Sequence, residues 1–303
     1  MYDIVVVGAG TAGLSAAIYG VRAGKSVLVF EGLIYGGQIA NSPEVENYPG
    51  IKMISGAEFA KNLYEQAVEL GAKVEMSNVT GILDKGEHKV VISDNKEYDC
   101  KTIILATGAK NRPLGLDREN ELTGRGVSYC ATCDGPFFKD KTVAIVGGGN
   151  TALEDAIFLT EYCKMVYLIH RRDSFRGEKK LVDALKQKPN LKFILDSKVI
   201  DLKGSLNLEA ITIENIKTND KQDLIVSGIF VAIGQMPENE IFSPLINLDK
   251  AGYIVAGEEC KSNIDGIFVA GDCRTKKIRQ LATAASDGAV AALAACEYIL
   301  SNV

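Results

Sequence analysis

The chain has 303 residues, 47% of them hydrophobic, and a formal net charge of -5 at pH 7. This length and composition are typical of a globular protein of about two domains. The mild acidity, without a long basic block, argues against a nucleic-acid partner. No apolar run reaches the ~20 residues of a membrane span, and the N-terminus lacks signal-peptide features, so we expect a cytoplasmic protein without membrane contact.

The first 31 residues follow the order strand, glycine turn, helix, strand, acidic residue. An apolar run from Tyr2 to Val7 predicts a buried strand, and Gly8-Ala9-Gly10-Thr11-Ala12-Gly13 follows it directly. A helical pattern then leads to a second strand, Ser26 to Phe30, and to Glu31. The glycines allow a tight turn and close approach of a pyrophosphate, and the acid can accept hydrogen bonds from ribose hydroxyls. This frame predicts a site for FAD or NAD.

The next segments predict connecting elements. Gly36-Gly37-Gln38 and the polar stretch to Pro49-Gly50 read as a loop, because turn-forming residues dominate there. The elements expected after it are a helix from Glu58 to Leu70, short strands between Lys73 and Ser93 with turns at Gly81 and Gly86, and a buried strand from Thr102 to Leu105 that ends in Ala106-Thr107-Gly108.

Cys130-Ala131-Thr132-Cys133-Asp134 is the only place where two cysteines lie close together. A CxxC pair in a reducing compartment is more often redox-active or metal-binding than structural. The other five cysteines are scattered, and we expect them to be small buried hydrophobic residues. They are Cys100, Cys163, Cys260, Cys273 and Cys296.

A second glycine turn, Gly147-Gly148-Gly149-Asn150-Thr151-Ala152, follows a predicted strand from Lys141 to Val146. At the end of the next strand, Met165 to Ile169, no acid is found. The sequence there is His170-Arg171-Arg172, with Arg176 four residues further on. Arginines at this place accommodate a 2′-phosphate, so the second turn predicts an NADP site.

The two turns define an α/β chain with two Rossmann-like dinucleotide-binding domains of the three-layer ββα type. The first unit is incomplete when the second begins. The tail supplies a buried strand, Ile267 to Ala270, then Gly271-Asp272 and a long helix, Leu281 to Leu300. We therefore expect one domain to be inserted into the other, with residues 1–112 and 243–303 forming the first domain and residues 113–242 the second.

Together these motifs resemble the low-molecular-weight, bacterial-type thioredoxin reductases, over essentially the whole chain. The resemblance rests on both glycine turns, Glu46-Asn47-Tyr48-Pro49-Gly50, Cys130-Ala131-Thr132-Cys133-Asp134-Gly135, the histidine–arginine run, Gly271-Asp272 and Arg279-Gln280-Leu281-Ala282. It implies FAD at the first turn and NADPH at the second, and no metal. The FAD residues it implies are Gly8, Gly10, Thr11, Ala12, Gly13, Glu31, Gly36, Gly37, Gln38, Asn47, Ala106, Thr107, Gly108, Gly271, Asp272, Arg279, Gln280, Leu281 and Ala282. The NADPH residues it implies are Gly148, Gly149, Asn150, Thr151, Arg171, Arg172 and Arg176, with His170 in a supporting place.

The resemblance also implies a reaction. Electrons would pass from NADPH through the flavin to the Cys130–Cys133 disulfide, and from there to the disulfide of thioredoxin or a thioredoxin-like protein. Cys133 would face the flavin, Cys130 would attack the partner protein, and Asp134 would carry the proton. Family members form homodimers and rotate one domain against the other, with hinges expected near residues 112 and 243, and serve in redox homeostasis and superoxide removal.

Three other readings remain open at this point. A zinc module could use the CxxC, but it needs four ligands, and His88 and His170 are far apart in sequence. A redox sensor could bind FAD without turnover, although it would need no NADP site. A ferredoxin–NADP reductase of the same fold would not need the cysteines.

Overall fold

A computed structural model of the chain describes residues 1–42 and 44–302. It divides into two compact units. Unit 1 comprises Met1–Lys110 and the chain from Met236 onward, and unit 2 comprises Asn111–Gln235. The predicted boundaries, after residues 112 and 242, lie slightly further along the chain. Residues 236–242 pack with unit 1 because buried Asn239 accepts a hydrogen bond from Thr107 Oγ1 (2.8 Å) and donates to the carbonyl oxygen of Cys273 (3.0 Å).

The described residues form seventeen strands. In chain order these are β1 (Tyr2–Val7), β2 (Val27–Glu31), β3 (Lys73–Met76), β4 (Val79–Asp84), β5 (Lys89–Ser93), β6 (Lys96–Leu105), β7 (Lys110–Asn111), β8 (Val127–Ser128), β9 (Thr142–Val146), β10 (Met165–Ile169), β11 (Leu191–Ile194), β12 (Ser197–Lys203), β13 (Ala210–Asn215), β14 (Lys221–Ile225), β15 (Gly228–Val231), β16 (Gln235–Met236) and β17 (Ile267–Val269).

Seven α-helices accompany them within the same described part of the chain. They are α1 (Thr11–Arg22), α2 (Gly56–Glu69), α3 (Glu119–Leu122), α4 (Ala131–Asp134), α5 (Asn150–Thr160), α6 (Lys179–Lys186) and α7 (Leu281–Ser301). Short 3₁₀ helices lie at Gly37–Asn41, Gly135–Phe138, Glu240–Phe242 and Gly271–Cys273. None of the helices in residues 1–42 and 44–302 has the length and apolarity needed to cross a membrane.

Unit 1 is built on a seven-stranded sheet in the order β3-β2-β1-β6-β5-β4, with β17 also paired to β6. The pairs among β3, β2, β1, β6 and β17 are parallel, whereas β4, β5 and β6 form an antiparallel meander. The buried runs of β1 and β2 fit strands covered on both faces. The expected α/β class and the Rossmann-like strand pattern are confirmed.

Unit 2 repeats this plan on a smaller scale. Its five-stranded parallel sheet has the order β11-β10-β9-β15-β8, and a separate antiparallel sheet is formed by β12, β13 and β14. In both units the glycine turn connects the first strand of the motif to a helix. Val7 pairs with Phe30 in unit 1, and Val146 pairs with Ile169 in unit 2. Consequently Glu31 and His170 occupy equivalent places, each one residue after the last pair with the strand that precedes the glycine turn.

Two local expectations need correction. Part of the segment predicted as a loop is the 3₁₀ helix Gly37–Asn41, which Gly36 introduces in the left-handed region (φ 94°). Gly81 lies inside β4 and not at a turn, next to a register shift against β5. The antiparallel partner strand decides that pairing, and a glycine alone does not reveal it.

Candidate active site

The three glycines of the first turn have different surroundings. Gly8 has a positive φ of 107°, and a Cβ there would collide with the carbonyl oxygen of Ala106. A Cβ on Gly13 would collide with the carbonyl oxygen of Gly8. Beside Gly10, by contrast, the nearest atom is the carbonyl oxygen of Gly36 at 3.9 Å. The open space therefore lies at Gly10, directly before the first turn of α1, where backbone N–H groups favour a phosphate.

The carboxylate of Glu31 is fixed beside this turn. One oxygen accepts a hydrogen bond from the Ala9 N–H (2.9 Å), and the other accepts from the Leu33 N–H (3.0 Å). Each carboxylate oxygen can accept a further hydrogen bond. The backbone thus fixes the orientation of the acid and leaves it able to accept from a hydroxyl donor; its contact with a ribose stays a prediction.

Several distant segments meet around the first turn. The Gly36 N–H donates to the Ala9 carbonyl oxygen (2.7 Å), and Gln38 Nε2 donates to the carbonyl oxygen of Ala109. Asn47 Nδ2 donates to Gln280 Oε1 (3.3 Å). The structure therefore brings the predicted segments around residues 8–13, 36–38, 47, 106–108 and 280 into one network within unit 1.

Asp272 supplies a second acid to this network. Its Oδ1 is buried and is one of two buried side-chain polar atoms in residues 1–42 and 44–302 that lack a hydrogen-bond partner. Burial raises the pKa of Asp272, while the charges of Lys276 and Arg279 act in the opposite direction. A buried acceptor without a donor is costly. A hydroxyl of a bound cofactor would satisfy it, so the residues present fit such a group.

The start of α7 completes the unit 1 site. Gln280 is the N-cap and forms a capping box with Thr283, so Leu281 and Ala282 form the first turn of the helix. The Arg279 guanidinium lies over the Tyr253 ring, 4.2 Å from its centroid, and donates to the carbonyl oxygen of Asp272 (3.4 Å). These contacts hold Arg279-Gln280-Leu281-Ala282 close to the other predicted FAD motif of the tail, Gly271-Asp272.

In unit 2, Cys130 and Cys133 form a disulfide, with their Cα atoms 5.3 Å apart. Cys130 is the N-cap of α4, and its sulfur accepts a hydrogen bond from the Cys133 N–H (3.2 Å). Ser128 Oγ accepts from the Cys130 N–H (3.1 Å) and donates to Asp134 Oδ2 (2.6 Å). Burial raises the pKa of Asp134, and the Ser128 hydrogen bond opposes part of that shift. A half-buried acid with a raised pKa next to a disulfide can store and release a proton.

The second glycine turn also has one open position. A Cβ on Gly147 would come within 2.5 Å of the Ala232 carbonyl oxygen, whereas a Cβ on Gly149 would meet nothing within 4 Å. Gly149 is the counterpart of Gly10. Asn150 and Glu178 exchange hydrogen bonds: Asn150 Nδ2 donates to Glu178 Oε1 (3.1 Å), and the Glu178 N–H donates to Asn150 Oδ1 (2.8 Å).

His170 explains the additional glycine of this turn. A Cβ on Gly148 would collide with the His170 imidazole, which is only 5% exposed and stacks on Phe175 at 5.3 Å. Burial, followed by the charge of Arg176, lowers the pKa of His170. The imidazole is therefore neutral at pH 7. Its Nε2 and Asp272 Oδ1 are the two buried side-chain polar atoms in the described residues that lack a hydrogen-bond partner.

The three predicted arginines follow His170 in sequence and are exposed. In the part of the chain that the structure describes, none of them has an ion pair with a carboxylate. They are Arg171, Arg172 and Arg176. Unpaired guanidinium groups on a surface are suited to a bidentate contact with a phosphate.

Sequence reasoning missed a buried ionic cluster in unit 1 and the role of Asn239. Arg274 is 1% exposed and binds both Asp287 carboxylate oxygens through the Nε–Nη2 edge of its guanidinium group, and Lys276 donates to the same carboxylate (2.8 Å). One signal was available: an aspartate within the apolar pattern of α7 requires buried partners. The five free cysteines are all buried, as expected.

The chain belongs to the pyridine nucleotide-disulphide oxidoreductase family, which it matches over residues 2–288. It is 41% identical to a thioredoxin reductase of Peptoclostridium acidaminophilum, covering 100% of this chain and 98% of that protein. Its structure is similar to that of thioredoxin reductase from Streptococcus pyogenes, with TM-score 0.95, 40% identity and 99% coverage of both chains. A ferredoxin-flavin thioredoxin reductase from Clostridium acetobutylicum is also similar, with TM-score 0.54, 30% identity and coverage of 99% of this chain and 98% of that one.

Proposed function

We propose that this chain is a thioredoxin-disulfide reductase that uses NADPH, FAD and the Cys130–Cys133 disulfide to reduce a disulfide of thioredoxin or a thioredoxin-like protein. The Cys130–Cys133 disulfide at the start of α4 carries the proposal, because it lies in the same unit as a glycine turn with NADP-type arginines and is followed by a half-buried acid. When bound, NADPH supplies two electrons, and FAD relays them to the disulfide.

The FAD site is assigned to unit 1. The open position at Gly10 would receive the pyrophosphate, the Glu31 carboxylate would accept from the adenosine ribose, and the free oxygen of Asp272 would accept from a further hydroxyl. The remaining residues proposed to line the site are Gly8, Thr11, Ala12, Gly13, Gly36, Gly37, Gln38, Asn47, Ala106, Thr107, Gly108, Gly271, Arg279, Gln280, Leu281 and Ala282.

The NADPH site is assigned to unit 2. Its pyrophosphate would lie at Gly149, before α5, with Gly148, Asn150 and Thr151 around it. Arg171, Arg172 and Arg176 would bind the 2′-phosphate. His170 stands where Glu31 stands in unit 1, and a neutral imidazole, unlike a carboxylate, does not repel that phosphate.

The thiol chemistry follows from the reduced form of the pair. The Cys130 thiolate attacks the partner protein's disulfide, a mixed disulfide forms, and one partner sulfur leaves as a thiolate. Cys133 then attacks the Cys130 sulfur, which re-forms the internal disulfide and releases the second partner sulfur. The Cys133 N–H that faces the Cys130 sulfur (3.2 Å) favours the thiolate at Cys130. Asp134 is the proposed carrier of the proton that the sulfurs gain and lose.

The assembly and the cell compartment are part of the same proposal. A homodimer is supported by exposed apolar side chains at Val290, Leu293 and Leu300, which recur along α7. Hinges near residues 112 and 243 would permit the domain rotation expected for a disulfide that serves a cofactor and a protein in turn. We place the enzyme in the cytoplasm, where it would contribute to redox homeostasis and the removal of superoxide.

An anaerobic NADPH titration followed by visible absorbance tests the proposal. The wild-type protein should be yellow, bleach with NADPH but not with NADH, and take up about two more electrons per chain than Cys130→Ser, because the disulfide is a second acceptor. Cys163→Ala, a buried cysteine of the same unit outside the site, should behave as wild type.

Two outcomes would contradict the proposal. A colourless protein would remove the flavin assignment. Equal electron uptake by wild type and Cys130→Ser would place the cysteines outside the electron path, and the alternative of a ferredoxin–NADP reductase, which does not need the cysteines, would then take precedence.

A further inference from the structure

Unit 1 contains a buried group of three charged side chains, Arg274, Lys276 and Asp287, here called the Asp287 cluster. The Asp287 carboxylate accepts hydrogen bonds from Arg274 Nε (2.8 Å) and Nη2 (2.9 Å), from Lys276 Nζ (2.8 Å) and from the Gly271 N–H (2.9 Å). The side chains are 1%, 7% and 8% exposed, in the order named. Apart from these, Arg274 has a longer contact with the exposed Glu258 (3.4 Å).

The cluster does not serve stability alone. A buried ion pair is rarely more stabilising than apolar side chains of the same volume, and the rest of α7 is strongly apolar. What the carboxylate provides is an oriented acceptor for the Gly271 N–H. Gly271 has φ 83°, and a Cβ there would come within 2.8 Å of Ala12 Cβ, at the start of α1. Asp287 therefore fixes the backbone that leads directly into Asp272.

The charges of the cluster are also arranged around Asp272. The charged groups that act on it are Lys276, Arg279 and Asp287. Lys276 is the cation shared between the two acids, because it donates to Asp287 and its charge also favours the ionised form of Asp272. Lys276 donates to Asp287, and in the described part of the chain the buried Oδ1 atom of Asp272 has no hydrogen-bond donor.

We infer that the Asp287 cluster is a positioning element of the FAD site: by accepting the Gly271 N–H it holds the backbone that leads into Asp272, so that the free Asp272 oxygen is available to the cofactor. The inference rests on the proposed assignment of Asp272 to FAD. Asp287 is not itself assigned to the cofactor. Its effect is exerted through the backbone at Gly271.

A double-mutant cycle on FAD affinity tests this inference. The flavin-free protein is titrated with FAD, and the quenching of flavin fluorescence gives Kd. Asp272→Asn should weaken binding about tenfold in the wild-type background, because one carboxyl oxygen is replaced by an amide nitrogen that cannot accept a hydrogen bond. Asp287→Asn should weaken binding by a similar factor, because the Gly271 N–H loses its charged acceptor and the backbone before Asp272 is held less firmly. In the double variant the two losses should not multiply, since both act on the same carboxylate oxygen.

A matched control separates this effect from general loss of stability. Lys89 is buried and pairs with Asp84 (2.6 Å), whose side chain is 28% exposed; within residues 1–42 and 44–302 neither has a side-chain hydrogen bond to a residue assigned to FAD. Asp84→Asn leaves a buried lysine without its carboxylate, as Asp287→Asn does. It should lower the melting temperature of the flavin-free protein and leave the Kd for FAD within about twofold of wild type.

A second variant keeps the test decisive if Asp287→Asn does not fold. Lys276→Met leaves the Gly271 N–H bonded to Asp287 and the bidentate Arg274–Asp287 pair in place, so its Kd for FAD should stay within about twofold of wild type. The inference is overturned if Asp287→Asn binds FAD as wild type, if the two losses multiply, if Asp84→Asn weakens binding equally, or if Lys276→Met weakens binding as much as Asp272→Asn. A wild-type protein that binds no FAD would instead overturn the proposed function.

Discussion

The two tight glycines and the open glycine of the first turn should respond differently to the same substitution. In Gly13→Ala the new methyl group collides with the Gly8 carbonyl oxygen and lies 3.2 Å from Val6 Cγ1. In Gly10→Ala it meets nothing closer than 3.9 Å, and the Gly10 φ of -76° is accessible to alanine. The two positions lie three residues apart and differ only in what surrounds them.

The expected magnitudes follow from these contacts. Overpacking against backbone atoms costs about 3 kcal/mol, so Gly13→Ala should lower the melting temperature of the flavin-free protein by roughly 6–12 °C. Gly10→Ala should change its stability by less than about 0.5 kcal/mol. Its methyl group occupies the space assigned to the pyrophosphate, and the loss of one charge-assisted hydrogen bond of about 1.5–3 kcal/mol weakens FAD binding roughly 10- to 100-fold.

Circular dichroism of the flavin-free variants gives the melting temperatures, and FAD titration gives the affinities. Gly147→Ala and Gly149→Ala form a pair of one crowded and one open position in unit 2, and they can be compared in the same way with NADP⁺ as ligand. The reasoning is refuted if Gly10→Ala melts as low as Gly13→Ala, or if Gly10→Ala binds FAD with wild-type affinity.

Three further predictions concern unit 2. Substitution to Gln at each of Arg171, Arg172 and Arg176 should weaken NADPH binding roughly tenfold per charge-assisted contact and leave NADH binding unchanged. Kd values for both nucleotides at two salt concentrations would check this, and an equal loss of NADH affinity would contradict it. Burial raises the pKa of Asp155 to about 7. The folded state then holds the proton more tightly than the unfolded chain, so stability is lost as the pH rises through 7. Asp155→Asn should remove this pH dependence and raise the melting temperature at pH 8. Asp134→Asn should slow thioredoxin reduction about 10²- to 10⁴-fold, as removal of a general acid–base does, with unchanged NADPH affinity; stopped-flow oxidation of the dithiol form would measure it, and a wild-type rate would exclude Asp134 as proton carrier.

Much of this architecture could be predicted from local sequence. The order strand, glycine turn, helix, strand ties the phosphate position to residues a few places apart, so the frames from Tyr2 to Glu31 and from Lys141 to His170 were readable directly. The contrast between Glu31 and the arginines that follow His170 is likewise a property of one strand end. Parallel strands that are buried on both faces are recognised in a sequence by continuous apolar runs. The α/β class could therefore be predicted, and the structure confirms it.

Other features depended on partners distant in sequence. Asn239 holds the start of the second segment of unit 1 in place by accepting a hydrogen bond from Thr107, 132 residues away. No local sequence pattern marks this role of Asn239. Gly148 is a glycine because the His170 ring lies against it, and this became visible only when two strands paired in register.

The sequence by itself determined the chemistry that this protein can carry: two dinucleotide turns, a redox-capable cysteine pair and a neighbouring acid, all encoded in short contiguous motifs. Only the tertiary structure decided which charges are paired and which are available. Asp287 interrupts the apolar pattern of α7 and is buried against two cations, whereas, among the described residues, Asp272 Oδ1 has no hydrogen-bond donor. The physical reason is that the free energy of a buried charge depends on groups that folding brings to it, and these groups need not be its neighbours along the chain.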